Sequence, residues 1–247
     1  MLKKWGLLLM MSVALVGCSE DEPTQKTQPA VEKKEETKIA VADKVFYKWN
    51  DKSTGDIESI SFYAKIDNTG STTVDVMDSK ITFLDSKESV IGTLEASDLF
   101  ISIFPAIIAP GQSSYVAVKL DSDESFKDLK DITLDVNPVK AEATIKELNT
   151  DKINVVKSDE WGGSLNVTGF MKNETDLDAE TVQLAAALYD KENKFLGALL
   201  PGTDQSFTVP VDGQTSFDIG VPSFPSDQVN NVDRAEVIST AVYYDGK

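Results

Sequence analysis

The chain of 247 residues has no histidine and one cysteine, Cys18. Without histidine it lacks the usual general base near neutral pH and the commonest metal ligand. A Ser-His-Asp triad and a His-ligated zinc are therefore excluded. A single cysteine excludes an internal disulfide and a cysteine-rich metal cluster. Cations are scarce, with 24 Lys+Arg against 41 Asp+Glu and a formal charge of −17. Phosphate backbones are bound by clustered cations, so no nucleic-acid partner is expected. No Walker loop or GxGxxG is present, and no cofactor is implied. What is present is a chain 41% hydrophobic and 26% charged, enough to bury a sizeable core in one or two domains.

The start of the chain reads as an address. Lys3 and Lys4 precede an uncharged, mostly apolar run over residues 6–17. A helix over that run rises about 18 Å at roughly 1.5 Å per residue. That falls short of the ~30 Å hydrocarbon core of a bilayer. A basic start, an apolar centre and a small residue at the cut mark an export signal. Leu15-Val16-Gly17-Cys18 resembles a bacterial lipobox. The resemblance implies a signal peptide over residues 1–17, cleavage before Cys18 and lipid attachment at Cys18. Cys18 is then an anchor and not a nucleophile. Loss of Lys3 and Lys4 lowers the formal charge by two, from −17 to −19. The expected location is the extracytoplasmic face of the cell membrane, or an outer membrane where the cell has one. Residues 19–38 contain only Ala30 and Val31 as apolar side chains and read as a solvated, disordered tether after the lipidated Cys18.

Beyond the tether the pattern becomes strand-like. Val116, Val118 and Leu120 alternate with Ala117 and Lys119, and Ile132, Leu134 and Val136 alternate with Thr133 and Asp135. An internal repeat is also visible. Asn68 and Asn173, Asp85 and Asp190, and Gly92 and Gly197 all stand 105 residues apart. Gly111-Gln112-Ser113 matches Gly213-Gln214-Thr215 at an offset of 102, and Tyr115 matches Phe217 at the same offset. Two copies of about 100 residues each suit small β-sandwiches. Their expected bounds are residues 39–149 and 150–247. Residues 182–188 have helix-forming composition, yet their counterparts around Ile81 and Phe83 read as strand, so both are expected to be strands. Short helical turns are expected over residues 122–129 and 226–232, with Ser122 as the first cap.

Gly169, Asn173, Leu188, Tyr189, Asp190 and Gly197 resemble the FxLyD-type domain of bacterial surface lipoproteins. The Phe of that motif falls on Ala186. In the first copy Asn68, Asp85 and Gly92 fit, whereas Ile81, Phe83 and Leu84 replace the aromatic-Leu-Tyr positions, which makes it a diverged version. The resemblance implies an all-β fold of two tandem immunoglobulin-like β-sandwiches on the cell surface. It brings no catalytic residues, and its Asn, Asp and Gly positions read as turn chemistry.

Acidic groupings give little. Asp121-Ser122-Asp123 opens like a calcium loop, but an EF-hand needs Gly and Glu where Phe126 and Ile132 stand. Asp176, Asp178 and Glu180 read as a solvated turn in preference to a calcium edge, so no metal is expected. With 41 acids some carboxylate pair is always available, and no enzyme activity is expected. Trp49 and Trp161 each precede the second strand of their copy. They either close one end of the core or present rings to a sugar or protein partner. Residues 99–110 form the most apolar stretch after the signal segment. Phe100, Phe104 and Ile107 there serve as a buried strand and plug, or as a contact patch with the second copy or another envelope protein. The function expected is a non-enzymatic, lipid-anchored binding or scaffolding module of the cell envelope, with an envelope protein or glycan as partner. The competing reading is an acidic inhibitor or decoy for a cationic target such as lysozyme or an antimicrobial peptide, steered by charge.

Overall fold

Period-two alternation and Asn/Asp/Gly turns give a chain built of strands. The computed structural model describes residues 35–95, 101–158, 164–202 and 205–244. The expected signal peptide, Cys18 and nearly all of the tether lie outside them. The strands of the first copy are β1 (Ile39–Asp51), β2 (Ile57–Asn68), β3 (Val74–Asp75), β4 (Ser79–Asp85), β5 (Val90–Glu95), β6 (Ile101–Phe104), β7 (Ile107–Ile108), β8 (Ser113–Asp121) and β9 (Leu129–Val136). A crossing segment carries β10 (Val139–Lys140) and β11 (Ala143–Glu147). The second copy has β12 (Asn149–Ser158), β13 (Ser164–Lys172), β14 (Val182–Tyr189), β15 (Phe195–Leu199), β16 (Gln214–Ile219) and β17 (Arg234–Tyr244). The all-β expectation therefore holds, and residues 182–188 are strand despite their alanines.

The first copy packs the sheet β1-β2-β8-β6 against the sheet β5-β4-β9. Phe62, Ile66, Val116 and Val118 meet Ile81, Phe83 and Ile132 in one core. The second copy packs β12-β13-β16 against β11-β17-β14-β15. Leu165, Val167, Met171 and Phe217 there meet Leu184, Ala186 and Leu188. β11 lies ahead of the expected boundary at Asn149, yet it pairs with β17 of the second copy.

The repeat is visible bond by bond. The Asn68 side-chain amide donates to the carbonyls of Thr72 (2.8 Å) and Ile108 (3.0 Å), and its oxygen accepts from Gly70 N–H (3.0 Å). Asn173 donates to Leu177 (2.8 Å) and Val209 (2.9 Å) and accepts from Thr175 N–H (3.0 Å). Each asparagine satisfies two backbone carbonyls that would otherwise lose water on burial. Asp85 Oδ1 accepts from the N–H groups of Lys87 and Ser89, and Asp190 Oδ1 from those of Glu192 and Lys194. Both turns use a left-handed residue, Glu88 at φ 62° and Asn193 at φ 63°. The turn assignment for these positions is thus the observed chemistry. A lysine on the first strand of each copy also caps the open side of its sandwich. Lys48 Nζ donates to the carbonyls of Phe126 (2.8 Å) and Lys127 (3.1 Å), and Lys157 Nζ to that of Val232 (2.5 Å).

Two details differ from the sequence expectation. The helical turns shrink to single 3-10 turns at Glu124–Phe126 and Val229–Asn231, and the first is capped by Asp123, whose Oδ1 accepts from Ser125 N–H at 2.8 Å. The β8–β16 offset is 101 and not 102. Lys65 pairs with Tyr115 and Phe170 with Ser216, so Tyr115 corresponds to Ser216 and Val116 to Phe217. A shift of one residue exchanges the two faces of a strand. Phe217 therefore faces the second core, while Tyr115 faces away from the first.

That outward face of the first copy is covered. β2 is buried almost continuously from Ser59 to Ile66, and β14 from Gln183 to Tyr189. Strands buried on both faces lose alternation and read as apolar runs. Tyr63, Tyr115 and Ala117 of the first copy belong to the same buried cluster as Ala185, Ala187, Tyr189 and Phe195 of the second. The four main sheets thus stack as successive layers, with the inner sheet of each copy meeting the other across an apolar seam.

Candidate functional site

The seam is the feature that joins residues of both copies, and it positions the candidate side chains Phe104 and Ile107. Its centre is aromatic. The Tyr115 ring stacks on Phe195 with centroids 6.2 Å apart, and Tyr63 lies 5.7 Å from Phe224 and 6.3 Å from Tyr47. Tyr47 Oη donates to the Leu196 carbonyl across the seam at 2.9 Å. A Cβ on Gly197 would lie 2.8 Å from the Phe224 ring and 2.9 Å from the Tyr63 ring, so only glycine permits this approach. Burial raises the Tyr47 hydroxyl to about 12, with Asp227 and Asp190 adding to it. Tyr63 and Tyr115 are pushed up as well, chiefly by burial. These phenols stay neutral over the physiological range and act as packing groups with polar ends.

Phe104 and Ile107 belong to this seam. Phe104 is half-buried against the cluster of the second copy, while its neighbour Ile103 points into the first core. Ile107 is only 5% exposed, and its N–H donates to Gln183 Oε1 of the second copy at 3.4 Å. The apolar stretch over residues 101–108 is therefore divided between the first core and the contact with copy two. Ile107 offers no surface to an outside partner. Phe100 lies outside the described residues.

Trp49 sits on β1 opposite Ser59 and not in a loop. It is 8% exposed, its Nε1–H donates to Ser61 Oγ at 2.9 Å, and Lys119 Nζ stands 5.8 Å from its ring centre. Lys119 also pairs with the buried Asp51 carboxylate, Nζ to Oδ2 2.6 Å. Asp51 Oδ1 accepts from Ser53 N–H (2.8 Å) and Oγ–H (2.6 Å) and so caps the 3-10 turn Lys52–Thr54. Burial pushes the Asp51 carboxyl up, but the hydrogen bonds from Lys119 and Ser53, with the charge of Lys119, outweigh it and leave the group below its ordinary value. Trp49 thus closes one end of a core and is held by a neutral ion pair.

Trp49 and Asp51 also form one wall of a crevice between the copies. Ser164, Leu165, Asn166, Gly220, Ser223, Phe224 and Ser226 supply the other wall, around a cavity of about 130 Å³. A wider recess of about 340 Å³ adjoins it, sharing Trp49, Lys52 and Ser226 and adding Asn50 and Asp227. Sequence reasoning singled out Trp49 here and missed the rest, because serines on loops carry no signal until the second copy closes over the first. Trp161 lies outside the described residues, as does the lipid-attachment candidate Cys18. Among the described residues no group of three or more Asp, Glu, His or Cys is placed to hold a metal. Asp176 pairs with Lys146, and Asp178 Oδ1 accepts from Val211 N–H at 2.8 Å. Among the described residues no helix is long and apolar enough to cross a membrane.

No protein-family model matches the chain, and a search of the curated proteins finds no match either.

Proposed function

We propose that this chain is a lipid-anchored extracytoplasmic protein that acts as a non-enzymatic binding or scaffolding module of the cell envelope. The observation that carries the reading is the seam. An aromatic contact makes the repeat one body with crevices built from both copies, the arrangement expected of a module that holds a partner against a fixed surface. The lipobox-like tetrapeptide ending in Cys18 supplies the anchor, and the FxLyD resemblance fits the same setting. The partner fitted is an envelope protein or glycan.

The test is a photo-cross-link on living cells. A photoreactive residue replaces Lys52 at the crevice mouth, with Thr27 as the control position and Cys18→Ala as a second strain. The expected result is capture of one envelope component from position 52 and not from 27, with the Cys18→Ala chain released into the medium. Retention of the Cys18→Ala chain, or identical capture from both positions, would contradict it.

A further inference from the structure

We propose that the groove between β10 and the end of β17 docks an extended, basic and apolar peptide segment of a partner protein, added as a further strand beside β10. The proposal deepens the binding reading above by naming a partner chemistry and its place, and rests on that reading for the role such docking serves.

The first support is an open strand edge. β10 is the end strand of the sheet β10-β3-β7. Val139 pairs with Asp75 and Lys140 with Val74, and the next amide along, Ala141 N–H, donates to the Thr73 carbonyl at 3.0 Å. On the other side of β3, Val76 N–H donates to the Ala106 carbonyl at 2.9 Å. Amides of alternate residues point the same way along a strand. Val74 therefore bonds toward β7, and Lys140 turns its N–H and C=O away from β3. Among the described residues no strand pairs with that edge. An extended peptide completes it, with main-chain bonds supplying affinity and alternate side chains supplying specificity.

The second support is the apolar surface beside that edge. The groove has a volume of about 400 Å³. Val139, Tyr244 and Met77 line it and are 54%, 49% and 41% exposed. Every second side chain of an added strand faces this surface, so the matching positions are apolar.

The third support is charge. Asp75, Asp78 and Glu142 line the groove with a single cation, Lys140, which leaves the lining at −2. Lys140 Nζ is already paired with Glu35 at 2.7 Å. Asp75 Oδ1 accepts from Met77 N–H at 2.8 Å, and Asp78 Oδ2 accepts from Asn137 Nδ2 at 2.7 Å. Among the described residues none of the three acids forms a salt bridge. A basic segment is drawn to such a groove. A second copy of this chain, with its own formal charge of −17, is repelled, and so is an anionic bilayer.

The test uses the purified full-length chain and three seven-residue peptides that alternate Lys-Val, Glu-Val or Lys-Ser. Binding is read by calorimetry at low and high salt. Lys140→Pro removes the outward N–H and leaves the amides of residues 139 and 141 on β3, as an edge position allows. Val139→Ser with Tyr244→Ser removes the apolar contact, and Asp78→Asn with Glu142→Gln removes charge. All these side chains lie outside the two cores, and circular dichroism checks that each variant folds. The Lys-Val peptide should bind with a Kd of roughly 1 mM or tighter. The Glu-Val peptide should not bind, and the Lys-Ser peptide should bind more weakly. Affinity for Lys-Val should fall about tenfold in the serine variant and in the charge variant, and should fall as salt is raised. It should also fall in Lys140→Pro, although losing that lysine makes the groove more acidic, which separates edge pairing from charge. No binding of Lys-Val, equal binding of Glu-Val, or affinity unchanged in any folded variant overturns the proposal. A dimer in sedimentation or binding to zwitterionic vesicles, lost in the serine variant and unaccompanied by peptide binding, overturns it too. Capture on cells from position 52 with no peptide binding in vitro overturns this inference and leaves the broader binding reading in place. Peptide binding lost in the variants, with no capture on cells, upholds the groove and removes the broader reading.

Discussion

The two copies share their turns and differ in the face each turns away from its own core. In the first copy the outward positions of β2 and β8 carry Tyr63, Tyr115 and Ala117; the matching positions of β13 and β16 carry Thr168, Ser216 and Asp218. On the other sheet the relation reverses. The outward residues of β14 are Ala185, Ala187 and Tyr189, where β4 has Lys80, Thr82 and Leu84. Each copy is therefore apolar on one outer face and polar on the other, and the two apolar faces are of different type. Such a contact is head-to-tail, and it would propagate if the outer faces were also sticky. Lys80, Asp218 and their neighbours end the stack after two copies, as polar caps do in repeat proteins. The small Ala185 and Ala187 of β14 let the two copies approach across the seam, and with the core residue Ala186 they make up a composition that reads as helical in isolation.

The sharpest way to break the asymmetry is to write the second copy's residues into the first. The double variant Tyr63→Thr, Tyr115→Ser should detach the copies while leaving both cores intact. Losing a buried aromatic costs about 3–5 kcal/mol. Calorimetry should then resolve two transitions, and intrinsic fluorescence should report a more exposed seam. A smaller effect is expected at Gly197. Gly197→Val places side-chain atoms within 2.8–3.0 Å of the Phe224 and Tyr63 rings, at φ 150°. Overpacking costs about 1–3 kcal/mol. Its counterpart Gly92→Ala meets the Phe126 ring at 3.2 Å and should cost less, as chemical denaturation would show.

The turn asparagines sharpen the opposite side of the comparison. Asn68→Ala and Asn173→Ala each strand two carbonyls, at about 1–3 kcal/mol for each buried group left unpaired. Similar losses in urea midpoint are expected, because both side chains make the same three bonds to the backbone, with the larger loss at Asn173, whose oxygen also accepts from Thr175 Oγ1 at 2.7 Å. The smallest effect is a pH dependence confined to the first copy. Asp51 sits below its ordinary value, so its contribution is present at neutral pH and is lost as acid protonates it. Asp51→Asn strands Lys119 and lowers stability at neutral pH. The gap to the native chain should narrow below about pH 4. A gap constant with pH would show that the Lys119 pair does not hold the carboxylate.

Much of the fold was legible. The 105-residue spacing of Asn68/Asn173 and Asp85/Asp190 located real, matching turns, because side chains that satisfy their own loop leave a local mark in sequence. The stack was not legible. Its trace was present in the apolar run over residues 184–189 of β14, but a run without alternation marks two-sided burial and does not say what covers it, and β2, broken by Ser59, Ser61 and Lys65, carried no such mark. Pairing Tyr115 with Phe217 matched aromatic with aromatic and so placed a seam residue in a core. Of the candidate site, Trp49 was found, and of its two readings the structure shows the ring that closes one end of a core. The serines and Asn166 had no pattern of their own and gained meaning only where the copies meet.

The most direct measurement of the central claim is differential scanning calorimetry of the native chain. One cooperative transition with equal calorimetric and van't Hoff enthalpies is expected, because the seam couples the copies into one unfolding unit. Two independent transitions, unchanged by Tyr63→Thr, Tyr115→Ser, would contradict it.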